Sequence, residues 1–402
     1  MSGFFAAPAV ADDNTSLNSG DCKFGTNDIK ETPWSLQRLL TEQMWAHRMK
    51  GQGVKVAVID TGVDMVNSQL KPVIGSGGQS FVGDKVGGGG KPTIDQVGHG
   101  TKVAGIIAAR PKRSSGFFGL APDAKIIPFK NTDKEKPGTA ESLSMAIHKA
   151  VSEKVDVINI SQGTDAKPEE LPTLEAAVAF ARSKDVLIVA SAGNGGSNGG
   201  EKQMWPAAYS KKYDNVLAVA ASDRNNERAP FSQSGDWVNI AAPGVNMVST
   251  VPQGGNCVDQ GTSFASPYAA GAAALLIAKH KNDHDGRWKP REVIWHLEQT
   301  AERVKKGPDK FIGWGVVDPV AALNDMSRPT EPPQPDKNDD SSAGMRVQAA
   351  ALTIGESPTD RRIRFAIYIV GGALLAVGTV VGSAVALRDW RRKTGFSTHG
   401  EA

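Results

Sequence analysis

Three short segments of this 402-residue chain carry an acid, a base and a hydroxyl in settings where each could do chemistry. In Val56-Ala-Val-Ile-Asp60-Thr-Gly, Asp60 comes directly off an apolar run and so falls at the carboxyl edge of a buried strand. Taken alone, an aspartate there reads as a turn or cap residue. In Gly98-His99-Gly100-Thr101-Lys102-Val103-Ala104-Gly105, glycines on both sides of a histidine at a helix start allow close backbone packing and leave the imidazole accessible. Of seven histidines only His99 has that frame; His47, His148, His280, His284, His296 and His399 read as surface or packing residues. In Gly261-Thr-Ser263-Phe-Ala-Ser-Pro267, Ser263 opens a small-residue helix. A serine there is usually an N-cap, but helix-end N–H groups beside it can also stabilise an oxyanion. A carboxylate to orient an imidazole, an imidazole to take a proton and a hydroxyl to attack a carbonyl are together the parts of acyl transfer.

The elements that must position them are readable from hydrophobic runs. Val54–Ile59, Lys125–Phe129, Val155–Ile160, Val186–Ala190 and Val216–Ala221 read as buried strands. Helical patterns at His99–Ala109, Ala140–Val151, Thr173–Ser183, Ser263–Lys279 and Pro290–Thr300 sit among them. Short, continuously apolar strands alternating with helices predict an α/β fold whose mainly parallel sheet is covered on both faces. Sites in such sheets gather at the carboxyl ends of the strands.

Composition is that of an ordinary globular protein, with 40% hydrophobic and 22% charged residues, which excludes a wholly disordered chain, a collagen and a disulfide-rich miniprotein. A net charge of +3 gives no reason to expect nucleic acid as a partner. Two cysteines, Cys22 and Cys257, are wrongly spaced for zinc and form either one long-range disulfide or two free thiols.

The ends of the chain bear on that choice. Phe365–Leu387 is a run of 23 residues without a charge, proline, asparagine or glutamine, long enough for the ~30 Å core of a bilayer. Arg361, Arg362 and Arg364 precede it, and Arg388, Arg391, Arg392 and Lys393 follow. The bias places the carboxyl terminus in the cytoplasm and the main domain outside it, in a single-pass protein of the cell membrane. Ala9-Val10-Ala11 resembles a signal cleavage site, although a basic n-region and a full apolar core are missing. An exported domain favours the disulfide. The chain thus divides into a remnant of a secretory signal (1–11), an N-terminal extension (12–32), one globular domain (33–326), a Pro-rich acidic linker (327–360), the transmembrane helix (365–387) and a short cytoplasmic tail (388–402). The linker has little to bury and reads as a semi-extended tether, and Gly87–Gly90 within Gly83–Gln96 reads as a mobile loop.

Asp60-Thr-Gly, Gly98-His99-Gly-Thr and Gly261-Thr-Ser263-Phe-Ala-Ser-Pro occur in that order between Gly53 and Leu323. Over this stretch the chain resembles the subtilisin-like serine proteases, or subtilases, with their three-layer fold. The resemblance implies that Ser263 is the nucleophile, His99 the general base and Asp60 its orienting partner. It also implies that Asn194, in Val189-Ala-Ser-Ala-Gly193-Asn194-Gly, donates to the oxyanion. Ser161-Gln162-Gly163, after Ile158-Asn-Ile, resembles the segment that pairs with substrate backbone, and Ser191 and Gly193 join it as substrate-binding candidates. Gln162 departs from the usual Ser-Leu-Gly and is expected to alter a substrate pocket. Lys102 stands where relatives often carry histidine and is expected to leave the triad undisturbed. No cofactor is required, and no carboxylate cluster could be assigned to the structural calcium common in subtilases.

Fewer than 60 residues precede Asp60, too short a stretch for a full inhibitory prodomain. The short Cys22-bearing extension, the Gly-rich insertion, the linker and the single span are similar to the architecture of the mycosins, membrane-anchored proteases of actinobacterial type VII secretion. That likeness implies polypeptide substrates, attachment to the cytoplasmic membrane, a place in the type VII secretion membrane complex and an extension that wraps the domain. Two other readings fit the same residues: a general cell-surface subtilase unconnected to secretion, and a mainly structural component with vestigial protease activity.

Overall fold

The computed structural model describes residues 22–39, 44–45, 49–134, 136–198, 201–281, 283–284, 286–336 and 358–394. The expected signal remnant at 1–11 lies outside them. After a short helix α1 (Trp34–Gln37), the chain runs through β1 (Lys55–Asp60), β2 (Gln79–Ser80), α2 (His99–Ala108), β3 (Lys125–Lys130), α3 (Ala140–Ser152), β4 (Val157–Ile160) and α4 (Pro172–Ser183). It continues through β5 (Leu187–Ser191), β6 (Val216–Ser222), β7 (Ile240–Pro243), the antiparallel pair β8 (Met247–Thr250) and β9 (Asn256–Asp259), then α5 (Thr262–Lys279), α6 (Pro290–Gln299) and α7 (Pro319–Asn324).

Seven strands make one parallel sheet in the order β2-β3-β1-β4-β5-β6-β7. Successive side chains of a strand point to opposite faces, and each strand has something apolar to bury on both. Val56 and Val58 of β1 join the core under α2, α5 and α6, with Val103, Ile107, Leu275 and Val293. Ala57 and Ile59 join a second core under α3 and α4, with Leu143, Ile147, Leu174 and Val178. The three-layer architecture follows from that double burial. At β1 the order turns from β3 on one side to β4 on the other, and such a switch point opens a crevice beyond the strand ends. Asp60 is the last residue of β1.

Helix α5 is buried on nearly every side from Phe264 to Ile277. A helix apolar all round belongs inside, and Gly271 lets it approach closely: a Cβ there would lie 2.9 Å from Leu120 Cβ.

The extension from residue 22 follows the β8–β9 hairpin. Cys22 and Cys257 are joined by a disulfide across 235 positions. Gly25 N–H donates to Pro252 O (3.0 Å), Asn256 N–H to Asn27 O (3.2 Å) and Gly116 N–H to Ile29 O (2.9 Å), while Lys112 pairs with Asp28 at 2.7 Å.

Two expectations about loops change. The Gly83–Gln96 segment is tied to the domain, with Lys130 Nζ donating to Gly89 O (3.1 Å), Val63 N–H to Pro92 O (2.9 Å) and Asp95 buried. Of the linker, residues 327–336 lie along the domain: Arg328 grips the Glu292 carboxylate at 3.0 and 3.1 Å, and Arg303 reaches Asp336 at 3.1 Å. These long-range ion pairs leave no periodic mark on composition. The described residues up to 336 belong to one compact unit and those from 358 to another. Within the second, helix α8 (Pro358–Thr394) includes the stretch Phe365–Arg392, 28 residues long and apolar enough to cross a membrane.

Candidate active site

Asp60 ends β1, His99 opens α2, Ser263 is in the first turn of α5 and Asn194 lies in the turn after β5. Asp60 Oδ1 accepts from His99 Nδ1 at 2.7 Å and from Thr61 N–H at 2.8 Å, fixing the ring so that Nε2 faces away from the carboxylate. The Asp60 side chain is 2% exposed and that of His99 28%, so one end of this pair is sealed and the other open. Both glycines around His99 are required by geometry. A Cβ on Gly98, which has φ of 89°, would lie 2.8 Å from the ring of Phe24; one on Gly100 would lie 2.1 Å from Gly62 O and 3.0 Å from Asp60 Cβ.

Ser263 is the second residue of α5, and its hydroxyl donates to Ser161 O at 3.0 Å. Among the described residues no hydrogen bond joins Ser263 to His99. Such bonds are often long or misaligned before substrate arrives. Asn194 follows β5, and its Oδ1 accepts from both the N–H and the hydroxyl of Thr262, each at 2.9 Å. Those two donors fix the carboxamide and turn its NH₂ away from Thr262. The Thr262 hydroxyl in turn accepts from Gly193 N–H at 3.1 Å.

This arrangement can be set beside known proteins. Residues 51–315 match the model of the subtilase family of S8 peptidases. The chain belongs to the subtilase family. It is 38% identical over 294 residues to subtilisin BL of Lederbergia lenta, covering 73% of this chain and 99% of that protein. It is also 38% identical over 298 residues to an alkaline protease of Alkalihalobacillus alcalophilus, covering 74% and 71%. Among solved structures, the MycP3 protease from the type VII (ESX-3) secretion system aligns with a TM-score of 0.63 and 30% identity, covering 74% of this chain and 91% of that one. MycP1 from the ESX-1 type VII secretion system aligns with a TM-score of 0.66 and 27% identity, covering 83% and 93%. The protein is therefore a subtilisin-like serine endopeptidase acting on polypeptides.

In this subtilase the remaining expected positions fall as follows. Ser161 is buried; its hydroxyl meets Ser266 Oγ and Asn159 Nδ2, each at 2.9 Å. Ser191 ends β5, and Gly193, with φ of 99°, opens the turn that presents Asn194. Gly163 lies beside Trp205 O, which accepts from Thr164 N–H at 2.9 Å. Gln162 is buried: its Nε2 donates to Asn131 Oδ1 at 2.7 Å, while its Oε1 is buried without a hydrogen-bond partner among the described residues. Lys102, which follows the histidine motif, pairs with Asp259 beside the ring of Phe264.

Sequence reasoning missed Asp95. Its Oδ1 accepts from Thr61 Oγ1 (2.9 Å), Val97 N–H (3.0 Å) and Gly98 N–H (2.7 Å), and its Oδ2 from Thr101 N–H (2.9 Å) and Thr101 Oγ1 (2.7 Å). One buried carboxylate thus ties the loop after Asp60 to the first turn of the His99 helix. An aspartate in a glycine-rich stretch carries no sign of that role. The Asp95, Thr61 and Gly100 chain, closed by Gly100 N–H on Thr61 Oγ1 at 2.9 Å, holds the Asp60 and His99 loops in register.

Burial pulls the His99 imidazole toward neutrality, but the charge and hydrogen bond of Asp60 outweigh it, leaving His99 above the ordinary histidine value; Lys102 lowers it and Asp259 raises it by weaker field effects. Among the described residues no group of three or more histidine, cysteine or acidic side chains is placed to hold a metal ion.

Proposed function

We propose that the protein is a membrane-anchored mycosin-type protease of a type VII secretion system, cleaving exported polypeptides with Asp60, His99 and Ser263 as its triad. The observation that carries the catalytic half is the sealed Asp60–His99 contact at 2.7 Å, set at the strand edge where α5 begins with Ser263. Ser263 leaves the Ser161 carbonyl, turns to His99 Nε2 and attacks the scissile carbonyl carbon while His99 takes its proton. Asp60 holds the tautomer and stabilises the imidazolium. The tetrahedral oxyanion is met by the Asn194 NH₂ and the Ser263 N–H, a pair of preorganised donors. His99 then delivers the proton to the leaving amine, and water repeats the sequence on the acyl-enzyme. Substrate backbone adds as a strand along Ser161-Gln162-Gly163, with Ser191 and Gly193 lining the same side.

The secretion half of the proposal is supported by the likeness to MycP1 and MycP3 over most of their chains and by helix α8. In this reading α8 crosses the cytoplasmic membrane once, with the protease domain outside and the tail from 388 in the cytoplasm. Of the extension at 12–32, residues 12–21 lie outside the described residues; in this reading 22–32 wrap the domain through Cys22–Cys257 and add stability to it. Residues 327–360 link domain to anchor.

Labelling with a fluorophosphonate tests the chemistry. The full-length protein is expected to incorporate the probe at Ser263, and Ser263→Ala to lose both labelling and peptide hydrolysis. Undiminished hydrolysis by purified Ser263→Ala would overturn the assignment. Unlabelled but folded wild-type protein would favour a structural component with a vestigial site. Co-purification with a secretion membrane complex separates the mycosin reading from that of a general cell-surface subtilase.

A further inference from the structure

Lys102 is a basic residue one turn beyond the base. It lies three positions after His99 on α2, so the two side chains share a face of the helix, and it is 7% exposed. A lysine so buried needs a partner, because an uncompensated charge away from water is strongly destabilising. The partner is Asp259, whose Oδ2 lies 2.5 Å from Lys102 Nζ, with the two side chains 9% and 12% exposed.

The position of Asp259 gives the pair its interest. It ends β9, two residues after the disulfide-bonded Cys257 and four before Ser263. Its other oxygen accepts from Gln260 N–H at 2.8 Å, and Gly261 N–H then bonds Gly244 O at 2.8 Å, so the approach to the nucleophile is fixed step by step. The hairpin grips α2 from the same side: Ser249 Oγ donates to Lys102 O at 2.5 Å and Thr250 Oγ1 to Thr101 O at 2.9 Å. Phe264, next to the nucleophile, lies between the parties, with its ring centroid 5.5 Å from that of His99 and 5.7 Å from Lys102 Nζ.

We propose that Lys102 and Asp259 act as a charge-balanced strut that joins the base helix to the nucleophile segment and sets the pH range in which His99 serves as a base. The inference rests on the assignment of His99 as that base. The charged groups around His99 are Asp60 from β1, Lys102 from α2 and Asp259 from β9. Asp95 lies behind the start of α2 and is saturated by five donors, and Asp64, after β1, accepts from Val66, Asn67 and Gln253 N–H groups. From α5, Ser263 and Phe264 bring no charge. Asp60 favours the imidazolium, and Lys102 and Asp259 oppose one another. Removing one member therefore exposes the field of the other.

The test is the pH dependence of kcat/KM for peptide hydrolysis by the full-length protein. Lys102→Met leaves Asp259 unopposed and is expected to raise the acid-limb midpoint by about half a pH unit. Asp259→Asn leaves Lys102 unopposed and is expected to lower it by a similar amount. The double variant is expected to return near the wild-type midpoint, and Lys102→Arg to match wild type. Asp259→Asn, which is close to isosteric, carries the test alone should Lys102→Met not fold. Unchanged midpoints, or shifts of the same sign in both single variants, would overturn the strut. Full hydrolysis by His99→Ala would instead overturn the base assignment beneath it, so the two failures are distinguishable.

Discussion

The two ends of helix α5 carry the same contact with opposite consequences. At its start, the ring of Phe264 lies with its centroid 5.5 Å from that of His99, whose Nδ1 is 2.7 Å from a carboxylate; just past its end, His280 Nδ1 is also 2.7 Å from a carboxylate, that of Asp283. Yet His99 sits above the ordinary histidine value and His280 below it. The difference lies in what surrounds each pair. The Asp60 side chain is 2% exposed and its field reaches His99 undiluted, whereas that of Asp283 is 36% exposed and water screens it. His280 is stacked on Trp288 at 3.8 Å, with its ring 5% exposed, and for it burial outweighs the weakened carboxylate. A carboxylate at hydrogen-bond distance therefore does not make a general base. A buried carboxylate and a part-exposed imidazole are what set the proposed base His99 apart from His280.

The sharpest way to break this contrast is to remove each carboxylate's charge in turn. Asp60→Asn is expected to lower kcat for peptide hydrolysis by about 10⁴-fold, because Asn cannot hold the Nδ1–H tautomer or stabilise the imidazolium. Asp283→Asn is expected to leave kcat within about twofold of wild type, since it touches no reacting group. Comparable losses in the two variants, measured on one peptide substrate, would show that the two histidine–carboxylate pairs are not functionally different.

A smaller effect is expected on the oxyanion side of the same helix end. Asn194→Ala removes one preorganised donor and is expected to cost about 10²–10³ in kcat, with KM little changed. Because Asn194 Oδ1 also receives two bonds from Thr262, the variant should be checked for melting temperature beside wild type. A loss carried by KM alone would place Asn194 in substrate binding instead.

The four proposed site residues could be singled out in the sequence because three short motifs occur together in one chain order that resembles the subtilase set, which also implies Asn194. Asp60 follows an apolar run, His99 lies between two glycines, Ser263 opens a small-residue helix and Asn194 sits in a Gly-rich turn. The parallel sheet was legible too, since β1, β3, β4, β5 and β6 are continuous apolar runs. Less could be read where meaning comes from distant partners. Asp95 collects its donors from Thr61, Gly98 and Thr101, and nothing local announces that. Lys102 finds Asp259 157 positions away, so by motif alone it looked neutral to the site. Strand β2 has two residues, β7 ends in proline and β9 reads Asn-Cys-Val-Asp, too short or too polar for a periodic signal.

The quieter end of α5 also predicts how stability responds to pH, and the contributions there have opposite signs. His280 and His296 are held below the ordinary value chiefly by burial. The folded state thus binds fewer protons than the unfolded chain, and their contribution is complete above the ordinary histidine value and lost as pH falls through it. Glu298, two residues after His296, is pushed by burial up to about 7, with Asn239 Nδ2 donating at 2.8 Å. For this carboxyl the folded state binds more protons, so stability falls as pH rises from the ordinary glutamate value toward 7. Glu298→Gln keeps an oxygen for Asn239 and removes the ionisable group. It is expected to stabilise the protein at pH 8 by up to about 3 kcal/mol and to do little at pH 4. With that opposing slope gone, the variant should lose stability more steeply than wild type on acidification from pH 7 to 5, as the two histidines take up protons. Denaturant unfolding of wild type and Glu298→Gln across pH 4–8 measures both effects. A difference between the two proteins that stays constant with pH would mean that Glu298 keeps its proton, or its charge, throughout that range.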